Sequence, residues 1–186
     1  MITRVFDCEI AESVKNDADW VNARNGKLGC SCCVIRNSET SRPHLFDKHN
    51  LIDVPLWLEG CDIVVSFNGT GFDIPLLEGV LGTSIKPNAH YDILTHIWNA
   101  LGGKRQKGYG LGVVCERTLG IGKSGNGADA PQLMRAGKWA ELFDYCIHDV
   151  NLTRELYNHI VDCGWIIDTD GEKLHLEQPF DSNGYA

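Results

Sequence analysis

MITRVFDCEI, residues 1–10, places two acids in an apolar stretch with one residue between them. Successive side chains of a β-strand point to opposite faces, so Asp7 and Glu9 would stand side by side on one face. Two adjacent carboxylates that leave water repel each other and lose hydration. A divalent cation is the simplest group that offsets this cost, because hard cations bind carboxylate oxygens. A solvated strand face, or an acid paired with Lys or Arg, is the alternative interpretation.

The bulk composition indicates one globular domain. The chain has 186 residues, with 43% hydrophobic and 23% charged side chains, which is sufficient for a substantial core. No apolar run approaches the roughly 18 residues of a membrane helix, so we expect a cytoplasmic protein that does not bind a membrane. The formal net charge of −8 argues against nonspecific electrostatic binding of nucleic acid by the protein surface as a whole. Acids that hold divalent ions would account for part of that charge.

Most of the eight cysteines lie in apolar runs. Free cysteine is commonly buried, so we interpret them as small hydrophobic core residues. A metal or redox cluster of Cys30, Cys32 and Cys33 is the alternative.

Hydrophobic patterns predict strands first and helices later, with an early antiparallel pair, which is typical of a layered α/β domain. We expect this domain over residues 1–169 and a polar tail, extended or loosely docked, over 170–186. The predicted strands are 2–10, 28–36, 44–46 and 62–67. The predicted helices are 51–59, 73–81, 92–101, 110–119 and 139–161, and the predicted loops include 15–27 and 120–131.

A second acidic motif is VSFNGTGFDIPLL, residues 65–77. It leaves the strand at 62–67, turns, and begins a helix near Asp73. Ligands of open α/β sheets bind beyond the carboxyl ends of strands, where this turn would lie. Asn68 can cap the turn or contact a sugar or phosphate. Asp73 is either a site residue or an ordinary acid in a first helical turn, where the helix dipole favours it.

The third motif is ELFDYCIHDVNLTREL, residues 141–156, in the strongest helical pattern. Tyr145 and Asp149 are four residues apart and therefore share a helix face. In the alternative interpretation, Tyr145 bonds a backbone group at the core edge and Asp149 is solvated. His148 lies off that face. The predicted buried stripe of this helix is Leu142, Cys146, Val150, Thr153, Leu156 and Ile160.

Taken in order, D-x-E, N-x-x-x-F-D and Y-x-x-x-D resemble the DEDD superfamily of 3′–5′ exonucleases over residues 2–160. The Tyr145 to Asp149 spacing is similar to the tyrosine branch (DEDDy). The histidine branch would place His five residues before the last Asp, where Asp144 stands. The resemblance implies a ribonuclease H-like fold, with a mixed five-stranded sheet, one strand antiparallel to the rest, and helices on both faces.

The same resemblance implies roles for five residues. Asp7, Glu9, Asp73 and Asp149 match the four metal-binding acids, and Tyr145 matches the residue that orients the attacking water. The implied cofactors are two Mg²⁺ ions, for which Mn²⁺ would substitute. The implied reaction is hydrolysis of phosphodiester bonds at the 3′ ends of single-stranded DNA or RNA, with DNA slightly favoured.

The terminal nucleotide needs a pocket, and residues that flank the acids are candidates. Phe72 is the best candidate for stacking on a base, although a core position explains it equally well. The dense basic cluster in GGKRQKGYG, residues 102–110, would hold the phosphate backbone or form a solvated loop. Asp92 is expected to cap the helix that follows it. The predicted substrate contacts are Cys8, Ile10, Asn68, Phe72, Lys104, Arg105 and Lys107.

Three other functions fit these motifs less well. A ribonuclease H-type endonuclease would use the same sheet, but the Y-x-x-x-D pattern favours the exonuclease. A catalytically idle nucleic-acid-binding module would not need acids at all four positions. A proofreading role would require a replication or repair partner protein that supplies the polymerase.

Overall fold

A mixed sheet of five strands forms the centre of the fold. The structure is a computed structural model that describes residues 1–37, 42–122 and 129–179. Its strands are β1 (Thr3–Ile10), β2 (Cys30–Asn37), β3 (His44–Phe46), β4 (Ile63–Ser66) and β5 (His90–Asp92). They lie in the order β3-β2-β1-β4-β5, and β2 is antiparallel to both of its neighbours while β1, β4 and β5 pair in parallel. The predicted mixed sheet with one antiparallel strand is confirmed.

Helices cover both faces of this sheet. Consecutive residues of β1 enter different cores. Val5 clusters with buried residues of the helices at 93–100, 111–119 and 139–163, whereas Phe6 clusters with those of the helices at 17–24, 54–59 and 73–81. No described helix has the length and apolar character that crossing a membrane requires. The helices are α1 (Asp17–Arg24), α2 (Val54–Glu59, after a 3-10 turn at Leu51–Asp53), α3 (Asp73–Leu81), α4 (Ile93–Ala100), α5 (Leu111–Leu119), α6 (Ala130–Arg135) and α7 (Trp139–Cys163).

Two predicted loops differ from the structure. The expected polar loop at 15–27 contains α1, which begins after an Asn16 side chain that accepts a hydrogen bond from the backbone N–H of Ala18 at 3.0 Å. Only Ala23 of α1 is buried, so the helix lacks the apolar stripe that would have predicted it. The expected loop at 120–131 is shorter, because α6 begins at Ala130. Residues 123–128 of that loop lie outside the described part of the chain.

A short hairpin follows the last helix. Strands β6 (Trp165–Ile167) and β7 (Lys173–His175) pair antiparallel, so the first part of the predicted tail contains a strand. The chain beyond β7 is fixed where the Tyr91 hydroxyl donates to the backbone carbonyl of Glu177 at 2.5 Å. Residues 180–186 of that tail lie outside the described part of the chain.

Seven of the eight cysteines occupy the interior, as predicted for most of them. All eight are within the described residues and are free thiols, and Cys163 alone among them is exposed. Cys8 and Cys33 are directly opposite on β1 and β2, and both are buried. These thiols therefore serve as small core side chains beneath the sheet surface.

Candidate active site

One cavity of about 200 Å³ lies beyond the carboxyl ends of β1 and β4. Ligands of open α/β sheets bind in this position. The structure brings together all five residues predicted to be catalytic and four of the predicted substrate contacts. The residues lining the cavity are Asp7, Cys8, Glu9, Ile10, Trp20, Phe67, Asn68, Phe72, Asp73, Tyr145 and Asp149.

Asp7 and Glu9 line this cavity from one face of β1, as the alternation of strand side chains predicts. Asp7 is half-buried, and Glu9 is buried with 7% of its surface exposed. Carboxylate oxygens of both acids and the sulfur of Cys146 all lie within 4.8 Å of one another. The Cys146 thiol donates to the Asp7 backbone carbonyl at 3.4 Å and to its carboxylate Oδ2 at 3.6 Å. This contact fixes the Asp7 carboxylate against α7.

Asp73 enters the cavity from the first residue of α3 and is buried. Its Oδ1 accepts a hydrogen bond from the backbone N–H of Cys8 at 3.0 Å, which ties α3 to β1. Burial raises the pKa of Asp73 to about 7, the Cys8 N–H opposes this shift, and the carboxylates of Asp92 and Asp149 add to it. The position therefore favours a neutralising partner, which is either a proton or a cation.

The turn that carries Asn68 and Asp73 is held by a second buried carboxylate. Asp92 accepts hydrogen bonds from the backbone N–H groups of Asn68 at 2.8 Å, Thr70 at 2.9 Å and Leu94 at 3.1 Å. The Leu94 bond confirms that Asp92 caps α4, and the other two show that it also positions the turn. Asn68 has a positive φ of 70°, a conformation that few residues other than Gly and Asn adopt.

Tyr145 and Asp149 enter the cavity from adjacent turns of α7. The predicted stripe of α7 is buried behind them. Burial raises the pKa of the Tyr145 hydroxyl, and the nearby carboxylates of Asp149, Glu9 and Asp7 raise it further. The phenol consequently stays protonated at neutral pH and acts as a hydrogen-bond donor, with Asp149 as one partner. His148 does not line the cavity.

The donor set fits divalent magnesium or manganese. Four carboxylates from β1, α3 and α7 meet in one cavity, and three of them are buried. Hard cations of this kind prefer carboxylate oxygens and retain several waters. The raised pKa of Asp73 also favours a bound cation. Burial and the neighbouring acids disfavour the charged carboxylate, and a cation would supply the opposing charge.

The predicted basic cluster contributes one residue to this region. Lys104, Arg105 and Lys107 are all exposed. Arg105 lines a second cavity of about 300 Å³ that adjoins the first, whereas Lys104 and Lys107 line neither of these two cavities.

Sequence reasoning missed the contributions of α1 and of Phe67 to these cavities. Trp20 lines both cavities and Arg24 lines the second. The available signal was Asn16 followed by the first-turn acids Asp17 and Asp19, which is a helix-start pattern. Without an apolar stripe behind it, that signal alone favours a polar loop.

Comparison with known proteins agrees with the fold and the family. The sequence over residues 30–161 matches the family model described as RNase_H superfamily, and the chain belongs to this superfamily. The fold also matches 129 solved chains. One is the family B DNA polymerase from the hyperthermophilic archaeon Pyrobaculum calidifontis, with a TM-score of 0.66, 16% identity, and coverage of 86% of this chain and 24% of that chain.

The chain thus spans 24% of the length of that polymerase, about a quarter. At 16% identity, the likeness concerns the fold alone. No curated protein sequence matches the chain significantly. The predicted family resemblance and ribonuclease H-like fold are confirmed.

Proposed function

We propose that this protein is a metal-dependent 3′–5′ exonuclease that hydrolyses phosphodiester bonds of single-stranded nucleic acid, with DNA slightly favoured over RNA. One observation carries the proposal: acids from β1, α3 and α7 converge with Tyr145 in a single cavity. Membership of the RNase_H superfamily supports a nuclease. The 3′ direction and the single-stranded substrate follow from the resemblance of the three motifs to DEDD exonucleases.

Asp7, Glu9, Asp73 and Asp149 are the residues that would hold two Mg²⁺ ions, or Mn²⁺ in their place. Ions bound there would neutralise phosphate charge and lower the pKa of a bound water. The chain contributes the carboxylates and the contacts that position them. Asp7 is fixed by the Cys146 thiol and Asp73 by the Cys8 N–H.

Tyr145 orients the attacking water rather than deprotonating it. Its hydroxyl carries its proton at neutral pH because burial and three carboxylates raise its pKa. A protonated phenol cannot accept a proton from water, but its oxygen accepts a hydrogen bond and its O–H donates one. The half-buried Phe72 and the buried Ile10 and Cys8 form the apolar wall against which a terminal base would pack. Asn68 lies exposed at the rim, within reach of a sugar or phosphate.

The proposal is tested with 5′-labelled single-stranded DNA and RNA oligonucleotides in Mg²⁺, Mn²⁺ or EDTA. We expect a metal-dependent ladder that shortens from the 3′ end, and we expect the Asp7→Ala variant to yield no ladder. Asp162→Asn is the matched control, because Asp162 is an exposed acid of the same helix that carries Asp149. This control should cleave like the wild type.

The cleavage products distinguish the proposed exonuclease from the other candidate functions. Internal cuts would instead indicate an endonuclease on the same sheet. An absence of cleavage by protein that binds Mn²⁺ in calorimetry would indicate a nucleic-acid-binding module. Wild-type turnover by Asp7→Ala would contradict the assignment of the four acids.

A further inference from the structure

A second cavity of about 300 Å³ opens beside the catalytic one. The two cavities share Trp20, Asn68 and Phe72 and therefore adjoin each other. Its volume is at the lower bound of small-ligand sites in proteins. The residues lining it are Trp20, Arg24, Asn68, Gly71, Phe72 and Arg105.

The charge of this second cavity is opposite to that of the first. Four acids line the catalytic cavity, whereas two guanidinium groups and, among described residues, no acid line the second. Arg24 comes from α1 and Arg105 from the loop after α4, and both are exposed. Neither forms an ion pair with another described residue. Two guanidiniums that form no ion pair with a described residue, placed at one cavity, favour a phosphate ligand.

Trp20 adds an aromatic surface to the same cavity. It is 48% exposed, and its ring meets Phe72 edge-on, with centroids 5.8 Å apart. Trp20 and Arg24 are four residues apart on α1 and therefore share one face of the helix. The Nε of Arg24 donates to the Trp20 carbonyl at 3.3 Å. Because this bond uses only Nε, the outer guanidinium nitrogens can reach a ligand.

The position of α1 is set by an unusually close backbone contact with α3. A Cβ added at Gly79 would lie 2.4 Å from the backbone carbon of Asn25, and one at Gly26 would lie 2.3 Å from that of Gly79. Such distances leave room for glycine alone. Helix α1 buries little else, so its contact with α3 serves to hold Trp20 and Arg24 beside Phe72.

We propose that the second cavity binds the penultimate nucleotide of the strand, on the 5′ side of the scissile phosphate. Its base packs on Trp20, and its phosphate lies between Arg24 and Arg105. The inference rests on the proposed function, since the acids of the first cavity define where the terminal nucleotide and the scissile phosphate lie. It also explains how a chain of net charge −8 holds a polyanion: two cations stand directly beside the acidic site.

The test measures binding rather than cleavage. Fluorescence anisotropy gives the Kd of 5′-fluorescein hexathymidylate and hexauridylate for the Asp7→Ala protein, in a series of salt concentrations. Adding Arg24→Gln should raise Kd and reduce the slope of log Kd against log salt by about 0.7, the value for one phosphate contact of a single strand. Lys27→Gln is the matched control, since it removes an exposed cation that lines neither cavity, and its Kd should change less than twofold.

Trp20 variants test the stacking separately. Trp20→Leu keeps an apolar side chain against Phe72 but removes the aromatic face, so Kd should rise about tenfold with an unchanged salt slope. Trp20→Phe should restore most of the affinity. This rescue would tie the loss of affinity to the aromatic ring rather than to the loss of an apolar side chain.

Competition with mononucleotides shows which nucleotide of the strand the second cavity binds. Thymidine and uridine 5′-monophosphates supply a terminal nucleotide alone, so Arg24→Gln should weaken them less than the hexanucleotides. An equal loss for both would overturn the penultimate assignment. If Arg24→Gln left both the salt slope and the Kd unchanged, the proposal that the second cavity binds a nucleotide would be overturned. Cleavage by the wild type reports on the proposed function independently, because none of these binding values requires turnover.

Discussion

At the scale of single residues, the buried carboxyl of Asp73 makes the stability of the fold depend on pH. An unperturbed Asp has a pKa of about 3.9, and burial raises the pKa of Asp73 to about 7 in the folded, metal-free protein. Between these two values the folded state keeps a proton that the unfolded state has lost. The free energy of unfolding therefore falls as pH rises from about 4 to about 7, and Asp73 has no such effect below pH 4.

Asp73→Asn should remove this pH-dependent loss. The amide oxygen still accepts the Cys8 N–H, but the side chain carries no charge. Relative to wild type, the variant should gain roughly 2–4 kcal/mol of unfolding free energy between pH 4 and pH 8 in EDTA. Urea unfolding at several pH values measures the gain, with Asp162→Asn as the exposed control. Parallel pH profiles of wild type and Asp73→Asn would refute the raised pKa.

Tyr145→Phe should lower turnover about a hundredfold and leave metal binding intact. The reason is that the hydroxyl orients the water, while the carboxylates hold the ions. Misplacing a reacting group by about 1 Å costs about 10²-fold in rate. Single-turnover cleavage and Mn²⁺ calorimetry measure the two effects. Tyr157→Phe is the control, because Tyr157 lies on α7 in the core and outside the cavity. Weaker Mn²⁺ binding by Tyr145→Phe would contradict this division of roles.

At the scale of elements, the contact between α1 and α3 determines the shape of the second cavity. Gly79→Ala should separate the two helices. Alanine favours a helix over glycine by about 1 kcal/mol, but overpacking costs about 1–3 kcal/mol. The clash at 2.4 Å is with backbone, which cannot rotate away, so the cost exceeds the gain. We expect lower thermal stability and weaker hexanucleotide binding.

The control for this change is Gly122→Ala, whose added Cβ meets no atom of the described residues within 4 Å. It should leave both the melting temperature and hexanucleotide binding near wild type. If Gly79→Ala proved as stable as wild type and bound hexanucleotides equally, the close approach of α1 would not fix the cavity.

The sequence predicted the elements that bury a continuous apolar pattern and missed those that do not. Strand β1 is a short apolar run that is buried on both faces, and helix α7 carries a clear period of 3.6, so the elements that hold Asp7, Glu9, Tyr145 and Asp149 could be assigned. Helix α1 buries only Ala23 and is stabilised by a cap and a backbone contact with α3, which no local pattern encodes. Strand β5 has three residues and forms by pairing with β4, a partner distant in sequence.

At the scale of the whole molecule, the site brings together acids that are far apart in the sequence, from Asp7 to Asp149. Metal-free protein holds these acids together against their repulsion, so bound cations should stabilise the fold. At 100 times its Kd, an ion adds about 2.7 kcal/mol, which corresponds to roughly 5–10 °C in Tm for a domain of this size. Thermal unfolding in Mg²⁺, Mn²⁺ or EDTA, with NaCl at matched ionic strength, measures the shift.

The Asp7→Ala variant distinguishes site binding from general charge screening. Asp7 and Glu9 belong to the group of side chains close enough together to hold an ion, so removing Asp7 should abolish most of the Tm shift. A shift of equal size in Asp7→Ala would show that the ions act on the whole acidic surface instead.

The position of α7 has a consequence for synthesis of the protein. Asp7, Glu9 and Asp73 leave the ribosome before Tyr145 and Asp149, which lie on α7, and α7 packs on β1 and β2. Domains fold as the chain emerges, N-terminal part first. Under the proposed function, a nascent chain that stops short of α7 is therefore inert toward nucleic acid, and competence arrives only when α7 has emerged and packed on the sheet.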